Sequence, residues 1–366
     1  MRIKQIKIGK VRIPLKTPFK TALREVDTAE DIVVKVIADT GEIGWGNAPA
    51  TVVITGDSHE SVAAAINEFI APQIIGMNIE DLEPICQRID HAMVHNTSAK
   101  AAVDIAVHDL FGQYYHMPLY RFFGGKCDCI TSDLTISLND PAVMAADAEK
   151  AIQRGYTTLK IKVGNDVDLD LVRAAAIRKV AGPSVRIRLD ANQGWKPKEA
   201  IRIIRQMEDK GLDIELIEQP VIAHDFDGLK FVTDHVATDI MADEAAFSPQ
   251  DVLRLLAMHA CDFINIKLMK AGGLHNAFQM ASIATAAGID CMMGCMLESK
   301  VGITAAAALS AGCGCITKND LDAADLLAAD PVKGGVYYDK NKLHIPEKPG
   351  LGIECVEDWE EIGSLQ

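Results

Sequence analysis

Three carboxylates in this sequence recur at nearly equal intervals, each closing a short apolar stretch: Asp190 in "VRIRLDAN", Glu218 in "IELIEQP" and Asp243 in "DIMADEAAF". The intervals are 218 − 190 = 28 and 243 − 218 = 25 residues, each about one strand plus one helix. If successive strands lie side by side, the three acids meet at one end of them. Carboxylates gathered in one place repel and take up protons unless a cation sits among them. An all-oxygen set with room for water or substrate suits Mg²⁺, expected here as one ion per chain.

Two further stretches carry lysines that a strand would aim the same way. In "TLKIKVG" the period-2 rule puts Lys160 and Lys162 on one face, and in "FINIKLMKAGG" it puts Lys267 beside Asn265. An ammonium is seldom buried without a partner or a task. A carboxylate held on Mg²⁺ has a more acidic α-proton, because the enediolate formed on deprotonation places its new charge beside the metal. Lysines facing each other across such a carbon can remove the proton on one side and return it on the other. A free lysine, with a pKa of about 10.4, is too protonated to serve as a base at neutral pH. Neighbouring cations, Mg²⁺ and the second lysine of the pair, are expected to lower it.

The rhythm of the chain supplies the elements that must position these groups. From "DLTISLN" to "NDLDAADL", eight short apolar stretches alternate with helical ones. The expected fold class is α/β, a modified TIM barrel of the (β/α)7β type, over residues 125–324. Strands 2 and 6 of a ring of eight are diametrically opposed, which sets Lys162 against Lys267. An open doubly wound sheet also alternates strand and helix, but no G-x-G-x-x-G follows the first strand. Polar residues instead close nearly every strand, as at a barrel mouth. Residues 1–124 read as an α+β capping domain, with a hairpin in "DIVVKVIADTGEIGWG" and a helix in "SAKAAVDIAVHDLFGQYYH". The tail, 325–366, is strands and turns expected to return to that cap.

Composition narrows the functional classes. With 366 residues, the chain can bury a large core. Lys+Arg of 37 against Asp+Glu of 51 gives 37 − 51 = −14, a field that repels a polyphosphate backbone, so no nucleic-acid partner is expected. The amino terminus alternates charged and apolar residues unlike a signal peptide, and "VGITAAAALSAG" falls short of the roughly 20 residues of a membrane span, so no membrane partner is expected and a cytoplasmic location is. Nine cysteines without framework spacing fit reduced thiols. The pairs Cys127/Cys129 and Cys313/Cys315 lack second pairs at zinc-site spacing and read as packing residues.

The K-x-K of Lys160 and Lys162, "LDANQGW", "IEQP", "ADE" and "NIKLMKAGG" together resemble the enolase superfamily, muconate-lactonizing subgroup, over almost the whole chain. The resemblance implies that Lys162 and Lys267 are the acid/base pair, that Lys160 polarises the substrate carboxylate, and that Asp190, Glu218 and Asp243 hold Mg²⁺. A mandelate-racemase-type histidine on strand 7 is absent from "MMGCMLES". On strand 8, "NDLDAAD" places Asp320 and Asp322 on one face across the pocket from the metal, where two acids would attract an ammonium; capping the following helix is the alternative. This D-x-D resembles the dipeptide epimerases, in which it holds the substrate's amino terminus. Arg24, in a loop resembling the family's lid, stands where L-Ala-D/L-Glu epimerases keep an arginine for the side-chain carboxylate of glutamate, a task suited to its bidentate fork. Asp27 is a competing partner for it. Thr135 and "VVITGDS" resemble the family's pocket segments, while Asn192 and Gly194 are expected to shape the loop behind Asp190.

The resulting expectation is a Mg²⁺-dependent epimerase that inverts the α-carbon of the carboxyl-terminal residue of a dipeptide, L-Ala-D/L-Glu above others, in peptidoglycan turnover. A homo-oligomer is expected. Rivals on the same scaffold are muconate cycloisomerase, o-succinylbenzoate synthase and N-acylamino acid racemase. A rival of another class is a metal-binding homologue without turnover.

Overall fold

The computed structural model describes residues 1–125 and 127–366. The chain opens with three antiparallel strands, β1 (Ile3–Lys20), β2 (Glu25–Ala38) and β3 (Ile43–Pro49), the last two joined at the D-T-G-E turn where Gly41 takes a φ of +105°. The helix Thr97–Tyr114 is buried on nearly every side. Its position explains the lack of a polar face: Ala101 and Ile105 join the barrel core, whereas Ala99 and Val103 join that of the cap.

After the short strand β4 (Cys129–Thr131), eight parallel strands follow: β5 (Leu134–Ile136), β6 (Thr158–Lys162), β7 (Arg186–Asp190), β8 (Ile214–Glu218), β9 (Asp239–Ala242), β10 (Phe263–Lys267), β11 (Cys291–Gly294) and β12 (Ile316–Asp320). They are hydrogen-bonded in sequence order from β5 to β12, with a helix after most of them. The seam between β12 and β5 is closed differently. The Asp133 N–H donates to Asn319 O at 3.1 Å, and the Leu321 N–H to Ser132 Oγ at 2.8 Å. This is the expected barrel, with an eighth strand that is "ITKND" rather than "NDLDAADL". Asp322 therefore lies two residues beyond the strand end, at the start of the short helix Ala323–Leu326.

Period-2 alternation divides each strand between two environments. Leu159, Ile161, Ile187, Leu189, Ile264 and Ile266 have no solvent exposure and belong to the core that includes the surrounding helices. The intervening residues are Lys160 and Lys162, Arg188 and Asp190, Leu216 and Glu218, and Asn265 and Lys267. Leu216, Met241 and Met292 form an apolar plug.

The tail contributes β13 (Val332–Gly334), β14 (Tyr337–Asp339), β15 (Lys342–His344), β16 (Ile353–Val356) and β17 (Glu360–Leu365). β15 pairs with β4, β13 with β16, and β17 runs antiparallel to β1, extending the cap sheet. No helix among the described residues is long and apolar enough to cross a membrane.

Candidate active site

Strand register levels the chemistry-bearing residues. Lys162 is paired with Asp190 and Asp190 with Glu218; on the other half of the ring, Lys267 is level with Gly294 and Gly294 with Asp320. Asp243 follows the last residue of β9. One carboxylate oxygen from each of Asp190, Glu218 and Asp243 lies within 4.8 Å of the others, and all three residues are buried. The expected convergence of the three acids is thus present.

The lysines grip this cluster from several directions. Lys162 Nζ donates to Asp190 Oδ2 at 2.6 Å, and Lys267 Nζ to Asp243 Oδ2 at 2.7 Å. Lys160 Nζ lies 3.1 Å from Asp190 Oδ2, 2.8 Å from Glu218 Oε2 and 2.7 Å from Asp320 Oδ2. Gly294 makes room for Lys267, because a Cβ there would fall 2.9 Å from Lys267 Cε and 2.6 Å from Asn265 Oδ1.

The protein's own charges act strongly on two of the lysines. Burial alone would lower the pKa of Lys267, but the adjacent Asp243 charge outweighs it and moves the group upward. Lys160 is likewise raised, with Asp320 and Glu218 overcoming its burial. Among the protein's own groups, carboxylates dominate the surroundings of both ammoniums. Glu218 is pushed up to about 8 by burial and by the Asp190 charge.

Asp320 and Asp322 meet at the seam. The Thr135 N–H donates to Asp322 Oδ2 at 2.6 Å, and Thr135 Oγ1 lies 3.4 Å from Asp320 Oδ1. Asp322 occupies the N-cap position of the helix Ala323–Leu326, yet its side chain caps nothing. Lys160 reaches both Asp320 and the acidic trio. Burial followed by the Asp320 charge pushes Asp322 up to about 7, whereas the lysine charges, Lys160 foremost, override burial and hold Asp320 below the ordinary range.

A cavity lies over these groups. Lys160, Lys162, Lys267, Asp320, Asp322 and Thr135 line it from the barrel. Arg24, Val53 and Ile54 line it from the cap. Arg24 makes no ion pair among the described residues, and Asp27 instead accepts from Thr28 Oγ1 at 3.0 Å.

Several site residues were not assigned from the sequence. Lys270 is buried 2.6 Å from Asp243 Oδ1 and donates to Asn265 O at 3.0 Å. Asn265 itself donates to Glu218 Oε1 at 2.8 Å. Glu244, next to Asp243, lines the cavity and leaves Oε2 without a hydrogen-bond partner. Asn192 is part of the cavity wall, not merely a loop former, and its amide lies 3.3 Å from Glu244 Oε1. Gly194 does shape the loop: a Cβ there would stand 2.0 Å from Gly164 O. The signal for Lys270 and Glu244 was their adjacency to assigned residues.

Charge and hydrogen bonding both fit a divalent cation. Three buried carboxylates, Asp190, Glu218 and Asp243, meet at one point, and burial with the Asp190 charge pushes Glu218 up to about 8, as happens where acids gather with no cation among them. Glu218 Oε2 and Asp243 Oδ1 have lysines close by but receive no hydrogen bond of good geometry. A second cluster, Cys86, Asp104 and His108, also brings three donor atoms within 4.8 Å. There Asp104 Oδ1 accepts the Leu274 N–H at 2.5 Å and His108 Nδ1 lies 2.8 Å from Asp104 O, so the group joins cap to barrel with its own polar atoms.

Comparison with known proteins agrees with this anatomy. Residues 3–124 match the family described as mandelate racemase/muconate lactonizing enzyme, N-terminal domain, and residues 143–359 match the enolase C-terminal domain-like family. An L-Ala-D/L-Glu epimerase of Clostridium acetobutylicum is 52% identical over 97% of this chain and 99% of its own. The L-Ala-D/L-Glu epimerase of Bacillus subtilis, solved as a substrate-liganded complex, superposes with a TM-score of 0.95 at 48% identity, covering 96% of this chain and 99% of that one. The dipeptide epimerase of Enterococcus faecalis, solved with Mg and L-Leu-L-Tyr, gives a TM-score of 0.94 at 42% identity, covering 97% and 100%. The chain belongs to the mandelate racemase/muconate lactonizing enzyme family, and stands within it as an isomerase alongside the epimerases.

Proposed function

We propose that the chain is a Mg²⁺-dependent dipeptide epimerase that inverts the α-carbon of the carboxyl-terminal residue, with L-Ala-D/L-Glu as its substrate pair. One observation carries the reading. Lys162 and Lys267 stand on strands four apart in a ring of eight and engage different carboxylates of one acidic trio, at 2.6 and 2.7 Å. A carbon held between them meets one amine on each face.

Asp190, Glu218 and Asp243 would hold the ion. When bound, it would supply electrostatic stabilisation for the enediolate charge. Lys162 and Lys267 exchange the α-proton from opposite faces, each as base for one epimer and acid for the other. Lys160 lies between the trio and Asp320, where its charge can polarise the substrate carboxylate. Asp320 and Asp322 receive the substrate ammonium, with Thr135 holding both acids in place. Arg24, from the cap, receives an acidic side chain. The names of the Clostridium and Bacillus relatives support the choice of substrate.

The test is exchange with solvent. Incubation of L-Ala-L-Glu in D₂O with Mg²⁺ places deuterium on the glutamate α-carbon and yields the L,D diastereomer. Lys162→Ala and Lys267→Ala each abolish interconversion, and chelation does so reversibly. Epimerisation at the native rate by either variant would overturn the two-base assignment.

A further inference from the structure

Two walls of the cavity come from different parts of the chain. Thr51, Val53 and Ile54 follow β3 of the cap, whereas Cys295, Met296 and Leu297 follow β11 of the barrel. Behind them, away from the cavity, lies a buried polar group made of Asp31 on β2, Asn47 on β3, and Glu298 and Ser299 in the turn after β11. All four are at most 3% exposed.

A short series of hydrogen bonds joins the walls through this group. Asn47 Nδ2 donates to Asp31 Oδ2 at 2.9 Å and to Glu298 Oε2 at 3.0 Å. The Ser299 N–H donates to the same Asp31 oxygen at 2.9 Å, and the Met296 N–H to Glu298 Oε1 at 2.9 Å. The amide of one cap residue therefore holds the carboxyl group that in turn holds the backbone of the barrel's cavity wall. The helix Lys300–Gly312 presses onto the same pair, since a Cβ at Gly302 would stand 1.8 Å from Glu298 Oε2.

This arrangement is costly for a mere domain seam. Neither Asp31 nor Glu298 has an ion-pair partner among the described residues, and Asp31 Oδ1, Asn47 Oδ1 and Ser299 Oγ lack any hydrogen bond. An apolar seam would hold cap to barrel without burying these groups. What a directional polar contact adds is a single register between the two surfaces.

We propose that Asn47 and Glu298 are positioning residues for substrate discrimination: through their hydrogen bond they register the Thr51–Ile54 wall against the Cys295–Leu297 wall without touching substrate. The inference rests on the dipeptide reading for its kinetic test. Asn47→Ala and Glu298→Ala raise KM for L-Ala-L-Glu about tenfold, the equivalent of one lost hydrogen bond of about 1.4 kcal/mol. They leave kcat within about threefold and narrow the preference for glutamate over leucine in the second position. The double variant is no worse than either single one, because both break the same link. Glu298→Gln, which keeps one acceptor for the Met296 N–H but turns an NH2 group toward the Asn47 donor, raises KM as Glu298→Ala does.

Amide hydrogen exchange supplies a readout independent of substrate: in both alanine variants, peptides covering Thr51–Ile54 and Cys295–Leu297 lose protection together. Asn47→Ser carries the same tests if the alanine variants do not fold. Wild-type protein inert toward dipeptides would sink the functional reading alone, leaving hydrogen exchange to judge the inference. Unchanged KM with unchanged protection in Asn47→Ala, or loss of protection confined to one wall, overturns the inference whatever the substrate.

Discussion

Lys160 Nζ donates to Asp320 Oδ2 at 2.7 Å, reaching from β6 past β5 to β12. The same ammonium lies 2.8 Å from Glu218 and 3.1 Å from Asp190, so one side chain ties the metal-binding acids to the acids proposed to anchor the substrate ammonium. Lys160→Met would leave these buried carboxylates without their shared cation, and breaking such a pair costs about 3–5 kcal/mol. Urea denaturation is expected to show a loss of that order, accompanied by at least a hundredfold fall in turnover, a cost of about 2.7 kcal/mol in barrier. Native stability with native turnover would remove Lys160 from both roles.

Asp322→Asn tests the proposed ammonium anchor separately. The amide keeps an acceptor for the Thr135 N–H while deleting the charge, so the fold is expected to survive. A charge-assisted hydrogen bond of about 1.5–3 kcal/mol predicts a rise in dipeptide KM of about tenfold to a hundredfold. An N-acylated amino acid, which has no ammonium, is unaffected. Because burial and Asp320 push the Asp322 carboxyl up to about 7, its charge is lost as pH falls through 7. Dipeptide KM accordingly rises on acidification in the wild type and less steeply in the variant.

Arg24 lines the cavity from the cap without an ion-pair partner among the described residues, and its burial lowers the guanidinium pKa from the ordinary value. Removing it by Arg24→Met should abolish the preference for an acidic carboxyl-terminal residue and leave turnover of apolar dipeptides nearly unchanged. Competition between L-Ala-L-Glu and L-Ala-L-Leu measures this directly. Selectivity identical to the wild type would place the arginine outside substrate recognition.

Glu298 gives a pH-dependent term in stability. Its carboxyl is pushed up to about 8 by burial and by the Asp31 charge, far above the unfolded value of about 4.3. The folded state therefore holds the proton more tightly, so the associated stability is complete below the unfolded pKa and falls as pH rises through 8. Glu298→Gln cannot ionise and lacks this slope. Thermal unfolding at pH 5.5 and 8.5 is expected to show the variant gaining on the wild type at the higher pH; a constant difference would refute the shifted carboxyl.

Asp190, Glu218, Asp243, Lys162 and Lys267 were legible because their placement depends on two local regularities. Alternation along a strand selects the face of each side chain, and the length of one strand–helix unit sets the interval to the next. Neither requires knowledge of which groups touch across the ring. The hairpin at Gly41 was legible for the same reason, as was the helix Thr97–Tyr114, although its burial on nearly every side follows only from its place between two cores.

Contacts between distant segments were not legible in that way. The sequence by itself determined which residues face the barrel interior and that three carboxylates converge there. Only the tertiary structure decided that Lys160 links Asp320 to Glu218, that Lys270 and Asn265 support the metal-binding acids, and that Asn47 meets Glu298 from another part of the chain. It also decided that Asp243 outweighs burial at Lys267, because a pKa answers to the summed field of every nearby charge and to burial. Those quantities exist only after the ring has closed, the seam at Thr135 has formed and the cap has seated on the mouth.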